Sequence, residues 1–184
     1  RQTGTAMDSF PNYVSGFYVS DGKATAKHAF TGPIGTSMNQ SVLMEKRGAS
    51  HVVGVEFYIS EYLYKDLPES EKDGWHPVHY SVKSGHLFCP DVTRPWEAEK
   101  FYDRLDRMYV KTVIVWEPGK KLPGSPFLAR PAVKDGEVDD HTIRARDKDL
   151  NINTWELAKY RQKTFPDPTK KGQATNPLTR SGMK

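Results

Sequence analysis

The sequence predicts an α+β fold in which a mostly antiparallel sheet packs against one long helix, with extended arms at both termini. Three observations support this prediction. Residues 51–59 alternate in the two-residue period of a strand. Residues 95–109 carry apolar side chains at helical spacing. Residues 1–12 carry Gly, Thr, Ser and Pro, residues 165–184 are rich in Pro, Gly, Thr and Lys, and neither segment follows either period.

Length and composition predict how the chain is divided. A chain of 184 residues suits one domain, and the hydrophobic share of 36% is low enough that part of the length is expected outside the core. We therefore expect an N-terminal arm at 1–12 and a domain at 13–133. A C-terminal extension is expected at 134–184, with a short helix at 154–162 followed by an extended tail.

The strands are predicted from alternating or continuous apolar runs bounded by turn residues. They comprise residues 13–20, 25–30, 40–45, 51–59, 78–83, 86–89 and 112–116, with a short final strand at 127–129. Asp21-Gly22 and Ser84-Gly85 have the composition of hairpin turns. Apolar side chains on both faces of 51–59 place that strand at the centre of the sheet.

The helices are predicted from capping residues and from 3.6-residue periodicity. Ser60 can cap a helical turn at 61–66, and a second turn is expected after Pro68. The long helix at 95–109 begins with Pro95, which suits a first turn. Its apolar stripe, which we predict to be core packing, consists of Trp96, Phe101, Leu105 and Met108.

Charge and cysteine content limit the functional classes. The formal charge is +4 and the pI is about 9.0, but the basic residues are interleaved with acids and no nucleic-acid motif accompanies them. Acidic protein or lipid surfaces are the favoured partners. Cys89 is the single cysteine, which excludes an internal disulfide, and we expect it to be a small buried hydrophobe. No run approaches the ~20 apolar residues of a membrane span, so the chain is predicted to be soluble.

Several motifs resemble a family of domains of unknown function that includes the plant oil-body-associated proteins. The resemblance extends from about residue 14 to about residue 133. The motifs are Gly54-Val55-Glu56-Phe57-Tyr58-Ile59-Ser60, Leu67-Pro68 with Glu71-Lys72, Trp75-His76, Val82-Lys83-Ser84-Gly85 and Leu122-Pro123-Gly124-Ser125-Pro126.

The resemblance implies a polar site from which residues have been lost. The family is rich in histidines at fixed places, a pattern that suggests a metal site or acid–base chemistry. This chain has Lys27-His28 in place of a histidine pair and Trp75-His76-Pro77-Val78 in place of Trp-His-Ser-His. A glutamate expected nearby is Ser81, and two further expected histidines correspond to Gly16 and Ile114.

The surviving residues leave one alternative open. His28, Gln40, Glu56 and His76 remain, and a catalytic metal needs about three converging ligands. The favoured prediction is a chain with no metal, no cofactor and no catalytic residues. One alternative to it is a metal-binding protein or metal-dependent enzyme that uses His28, Glu56 and His76. A lipid-droplet-associated protein, which the resemblance implies, is the other.

The favoured hypothesis is a non-catalytic accessory subunit of a larger assembly. It would bind other protein subunits through its terminal extensions, contact membranes only indirectly, and bind no nucleic acid. The tail cannot pack a core of its own, which suggests a partner surface. The basic pI and a first residue other than Met favour a mitochondrial setting, as a subunit of a membrane-bound respiratory complex.

Overall fold

A computed structural model describes residues 12–32, 38–48, 51–116, 129, 133 and 138–165. The strands are β1 (Asn12–Ser20), β2 (Lys23–Thr31), β3 (Met38–Met44), β4 (Val52–Ser60), β5 (His76–Pro77) and β6 (Met108–Ile114). The helices are α1 (Glu61–Asp66), α2 (His79–Lys83), α3 (Pro95–Asp106), α4 (Asp140–Leu150) and α5 (Thr154–Thr164), with a 3-10 turn at Glu69–Glu71.

The six strands form one curled antiparallel sheet, a half-barrel with the order β1-β2-β3-β4-β6-β5. β5 lies at one edge and β1 at the other. After β5 the chain passes through α2 and returns to β1, where Ser15 and Phe88 exchange backbone hydrogen bonds of 2.7 and 2.9 Å. The segment that contains α2 therefore crosses the open side of the half-barrel.

The concave face of the sheet holds the largest apolar cluster. Val14, Ala29 and Leu43 are paired across β1, β2 and β3, and all three are buried. Val82 of α2 and Leu105 of α3 belong to the same cluster and are at most 1% exposed. Two short helices thus cover the inside of the curl.

The last two helices pack on the remaining surfaces. Ile143 of α4 joins Phe17 of β1 in a cluster on the convex face. α5 packs against α2 at Gly85, whose φ of +76° lies in the left-handed region. A Cβ there would stand 2.7 Å from the Thr154 carbonyl oxygen, so the close approach of these elements requires glycine.

The predicted fold class is wrong, because the helical part of the chain is several short helices rather than one long one. The predicted helix at 95–109 ends at Asp106, since Arg107 leaves the helical region and Met108 begins β6. All of β6, from Met108 to Ile114, pairs with residues 54–60 of β4, and these ladder hydrogen bonds outweigh the helical pattern. Trp96, predicted as core, is 56% exposed.

Two predicted strands are also replaced. Residues 79–83 form α2 with Val78 as the N-cap, because Val78 and Val82, four residues apart, fall on one side of a helical turn and are both buried. Ser84-Gly85 is consequently not a hairpin turn. Residues 86–89 make only the bridge at Phe88. α4 was not predicted, because its sequence is mostly charged and has too few apolar residues to show a helical period.

Some expectations concern segments beyond the described residues. These are the N-terminal arm up to residue 11, residues 127 and 128 of the predicted last strand, and the tail from residue 166. Ala129 forms a single bridge with Val113 of β6. Among the helices that the structure describes, none is long and apolar enough to cross a bilayer.

Candidate functional site

A buried carboxylate lies at the centre of the concave face. Glu56 of β4 is fully enclosed, at 0% exposure. Its Oε1 accepts hydrogen bonds from Lys27 Nζ and from Thr112 Oγ1, both at 2.7 Å. Its Oε2 accepts one from the Tyr58 hydroxyl, also at 2.7 Å. We call these four residues the Glu56 cluster.

The cluster is enclosed and pairs opposite charges. The Lys27 ammonium is buried with its counter-charge, which is the condition under which ionised groups persist in an interior. Burial raises the pKa of Tyr58 well above its ordinary value, and the negative charge of Glu56 raises that pKa further. Tyr58 therefore stays a hydroxyl donor, and the recess beside it has no room for a water molecule.

Gly16 makes space for the lysine. It lies opposite Lys27 in the β1–β2 register. A Cβ at position 16 would approach Lys27 Cε to 2.9 Å, so a side chain there would displace the lysine from Glu56. Two of the positions where the family resemblance places lost histidines, Gly16 and Lys27, are thus in contact, and Lys27 bonds to Glu56.

His28, one of three candidate metal ligands, lies on the other face of the sheet. Successive side chains of a strand alternate in direction, and Lys27 points to the concave face. The His28 Nδ1 is 2.7 Å from the Tyr13 hydroxyl, on the convex side. Burial lowers the pKa of His28, and the charge of Asp149 opposes that shift in part.

His76, the second candidate, shares the concave face with Glu56 but stands apart from it. It pairs with Val110 of β6, whereas Glu56 pairs with Thr112 on the opposite side of that strand. Strand β6 lies between them, and His76 is offset by two residues along it from the partner of Glu56. His28, Glu56 and His76 therefore do not converge, and no group of metal-ligating side chains is found among the described residues.

Sequence reasoning identified Glu56 but missed two of its partners. Tyr58 is two residues further along the same strand, so the alternation of β4 could have placed it beside Glu56. Thr112 is opposite Glu56 on β6, and this contact requires the strand register. Lys27 was recognised only as a cation in place of a histidine.

A second polar cluster joins the C-terminal helices to the sheet edge. The buried Arg146 guanidinium of α4 donates to the His86 carbonyl at 2.8 Å and to Thr154 Oγ1 at 2.6 Å. It also donates to Ser15 Oγ at 3.3 Å and contacts Asp147 at 3.0 Å. Burial lowers the pKa of Arg146, while Asp147 opposes that change. These bonds connect α4, α5, β1 and the segment after α2.

One histidine–carboxylate pair has part of the geometry of an acid–base dyad. His79 Nδ1 lies 2.6 Å from Asp106 Oδ1, which links the start of α2 to the end of α3. The His79 Nε2 is buried and has no hydrogen-bond partner among the residues that the structure describes. A catalytic dyad also needs a nucleophile or substrate proton at that nitrogen. The described contacts supply only the link between helices.

We expect Cys89 to be unreactive in the folded protein. Its side chain is 0% exposed, and burial raises the thiol pKa from 9.0 to about 11. The thiolate is the reactive form, so Ellman's reagent at pH 8 should label the chain only after denaturant is added. The unfolded thiol ionises first, so the stability due to Cys89 is complete below pH 9.0 and is lost as the pH rises through about 11. Rapid labelling of the native protein would contradict this placement.

Comparison with known proteins identifies the chain's relatives. A family model described as "Protein of unknown function (DUF1264)" matches residues 5–164. Oil body-associated protein 1B of Arabidopsis thaliana is 28% identical over 142 residues, covering 74% of this chain and 58% of that protein. Oil body-associated protein 1A of Zea mays is 30% identical over 142 residues, covering 74% of this chain and 59% of that protein.

The chain therefore spans less than two thirds of the length of the curated relatives it matches. Oil body-associated protein 2C of Arabidopsis thaliana is 30% identical over 122 residues, covering 64% of this chain and 51% of that protein. No solved structure matches the chain. The resemblance drawn from the motifs is confirmed.

The predicted function and location are wrong. The sequence favoured an accessory subunit of a mitochondrial respiratory complex, but the matching relatives are named for oil bodies. Nothing in the comparisons points to a mitochondrion or a respiratory chain. The basic pI and the first residue, on which that prediction rested, are compatible with many locations.

Proposed function

We propose, from the premise that this chain belongs to the family described as "Protein of unknown function (DUF1264)", that it associates with the surface of lipid droplets. The observation that carries the proposal is the common name of its matched relatives, which are oil body-associated proteins in two plants. An oil body is a lipid droplet, so the shared property is residence at a lipid surface.

The proposed role is binding rather than catalysis. The Glu56 cluster supports this part of the proposal, because its carboxylate already receives three donors and is fully buried. A group so enclosed holds the curled sheet together and is out of reach of a substrate. The domain then acts as a stable body whose outer surface makes the functional contact.

Localisation tests the proposal. The chain, fused to a fluorescent protein and expressed in oleate-fed cultured cells, is expected to form rings around droplets stained with a neutral-lipid dye. Droplets recovered by flotation should carry the fusion, whereas the fluorescent protein alone should stay in the lower fraction. A mitochondrial or diffuse pattern, with no fusion in the floating fraction, would rule the proposal out.

A further inference from the structure

We propose that the outward face of α5, together with Arg144 of α4, binds the phosphate headgroups of the lipid surface directly. This inference rests on the proposed function and deepens it by naming the contact. The face consists of Trp155, Lys159, Tyr160 and Lys163. We call it the α5 lipid face.

Helical geometry brings these residues to one side of α5. At 100° per residue they fall within an arc of about 140°. Thr154 and Arg161, which are 3% and 2% exposed, lie on the opposite side and face the domain. Trp155 is 44% exposed and Tyr160 is 62% exposed, and the two lysines between them are also exposed. Two aromatic rings therefore flank a pair of cations and one acid, Glu156, on an open surface.

The charge of this surface favours an anionic partner. The Arg144 guanidinium carbon lies 5.3 Å from the centre of the Trp155 ring, which adds a third cation to the face. Glu156 is exposed and lies within the same arc, about 100° from Trp155, so the three cations share this face with one acid. Trp and Tyr rings settle at the level of lipid headgroups, while lysine stems lie along apolar surface with their ammonium groups near phosphate. A phospholipid monolayer provides both the headgroup region for the rings and the phosphates for the lysines.

The fold does not depend on these side chains. α5 is held from its inner side, where Arg161 donates to the carbonyl oxygens of Val82 and Leu87 at 3.2 and 2.5 Å. Arg146 donates to Thr154 at its first turn. Substitutions on the α5 lipid face can thus change binding without removing the bonds that place the helix.

Trp96 provides a matched comparison elsewhere on the surface. It is 56% exposed and has Lys100 at 5.3 Å from its ring centre, so it resembles Trp155 in exposure and in its cation. Glu97 follows Trp96 as Glu156 follows Trp155, and Glu99 is a further acid where α5 has Ala158. These acids oppose binding to anionic headgroups, and Trp96 is therefore the control position.

The test uses triolein droplets coated with phosphatidylcholine, with or without phosphatidylserine, floated with the purified chain. The wild type is expected on phosphatidylserine droplets, less so at high salt. Lys159→Gln with Lys163→Gln should lower the partition coefficient about 25-fold, or about fivefold for each charge removed. Trp155→Ala with Tyr160→Ala should lower it roughly tenfold on either coating. Trp96→Ala should change it less than about twofold.

Each result decides between the two proposals. The inference is overturned if both double variants float like the wild type, or if Trp96→Ala loses as much binding as they do. It is also overturned if the wild type does not bind the purified lipid droplets while the fusion still localises to droplets in cells, since a droplet protein would then be the partner. Absence of the fusion from cellular droplets would instead refute the proposed function. Circular dichroism of every variant checks that the helices are intact.

Discussion

Replacing Lys27 by Met is expected to lower the free energy of unfolding by ~3–5 kcal/mol, because it leaves a buried carboxylate without its counter-charge. Glu56 is fully enclosed and would keep only the Tyr58 and Thr112 hydroxyls. Methionine preserves most of the volume of lysine, so cavity formation contributes little to the loss. Urea denaturation measures the change in unfolding free energy, and thermal unfolding should show a melting temperature lower by roughly 10 °C or more.

The charge effect can be separated from packing by a second substitution. Glu56→Gln removes the negative charge but keeps an amide that can bond with the neighbouring hydroxyls. The variant with both Lys27→Met and Glu56→Gln should therefore recover most of the lost stability. A Lys27→Met protein within ~1 kcal/mol of the wild type would contradict the buried ion pair. So would a double variant no more stable than Lys27→Met alone.

The strands were predictable where apolar and polar residues alternate between clear turn residues. The prediction of a strand at 51–59 is confirmed with a shift of one residue, as β4 (Val52–Ser60). Residues 78–83 were mistaken for a strand because apolar residues two and four apart satisfy both periods. The end of α3 was misplaced because Met108 and Tyr109 continue the helical stripe, whereas their pairing with β4 depends on a strand distant in sequence.

The Glu56 cluster was only partly predictable, because it depends on the curl of the sheet. Thr31 of β2, Ser41 of β3 and Glu56 of β4 are consecutive partners in the register. Lys27 is four residues back along β2, so a flat sheet would separate the Cα atoms of Lys27 and Glu56 by about 16 Å. That distance exceeds what the two side chains can bridge. The observed contact of 2.7 Å therefore reports curvature, which no local sequence pattern encodes.

The interior and the surface of this domain have separate tasks. The Glu56 cluster closes the polar centre of the half-barrel, and the second cluster around Arg146 fixes α4 and α5 to its edge. The position of the α5 lipid face follows from that second cluster. Stability and lipid binding should consequently respond to different substitutions on neighbouring residues of α4.

Replacing Arg146 by Met is expected to destabilise the protein by ~3–5 kcal/mol, the range for breaking a buried, hydrogen-bonded charge pair. The substitution leaves Asp147 buried without the guanidinium and removes the donors to the His86 carbonyl and to Thr154. Amide hydrogen exchange should accelerate most in α4 and α5, because those helices lose their shared attachment to β1. Denaturant unfolding gives the overall loss and exchange gives its location.

Arg144 supplies the matched control for this experiment. It lies two residues earlier on α4, is exposed, and makes its contact with the Trp155 ring. Arg144→Met should change the unfolding free energy by less than ~0.5 kcal/mol, yet weaken droplet binding about fivefold. Arg146→Lys should fall between wild type and Arg146→Met in stability, since an ammonium keeps the charge but cannot reproduce the planar fork. Equal destabilisation by Arg144→Met and Arg146→Met would show that the buried cluster does not fix these helices, and that their placement depends on surface contacts instead.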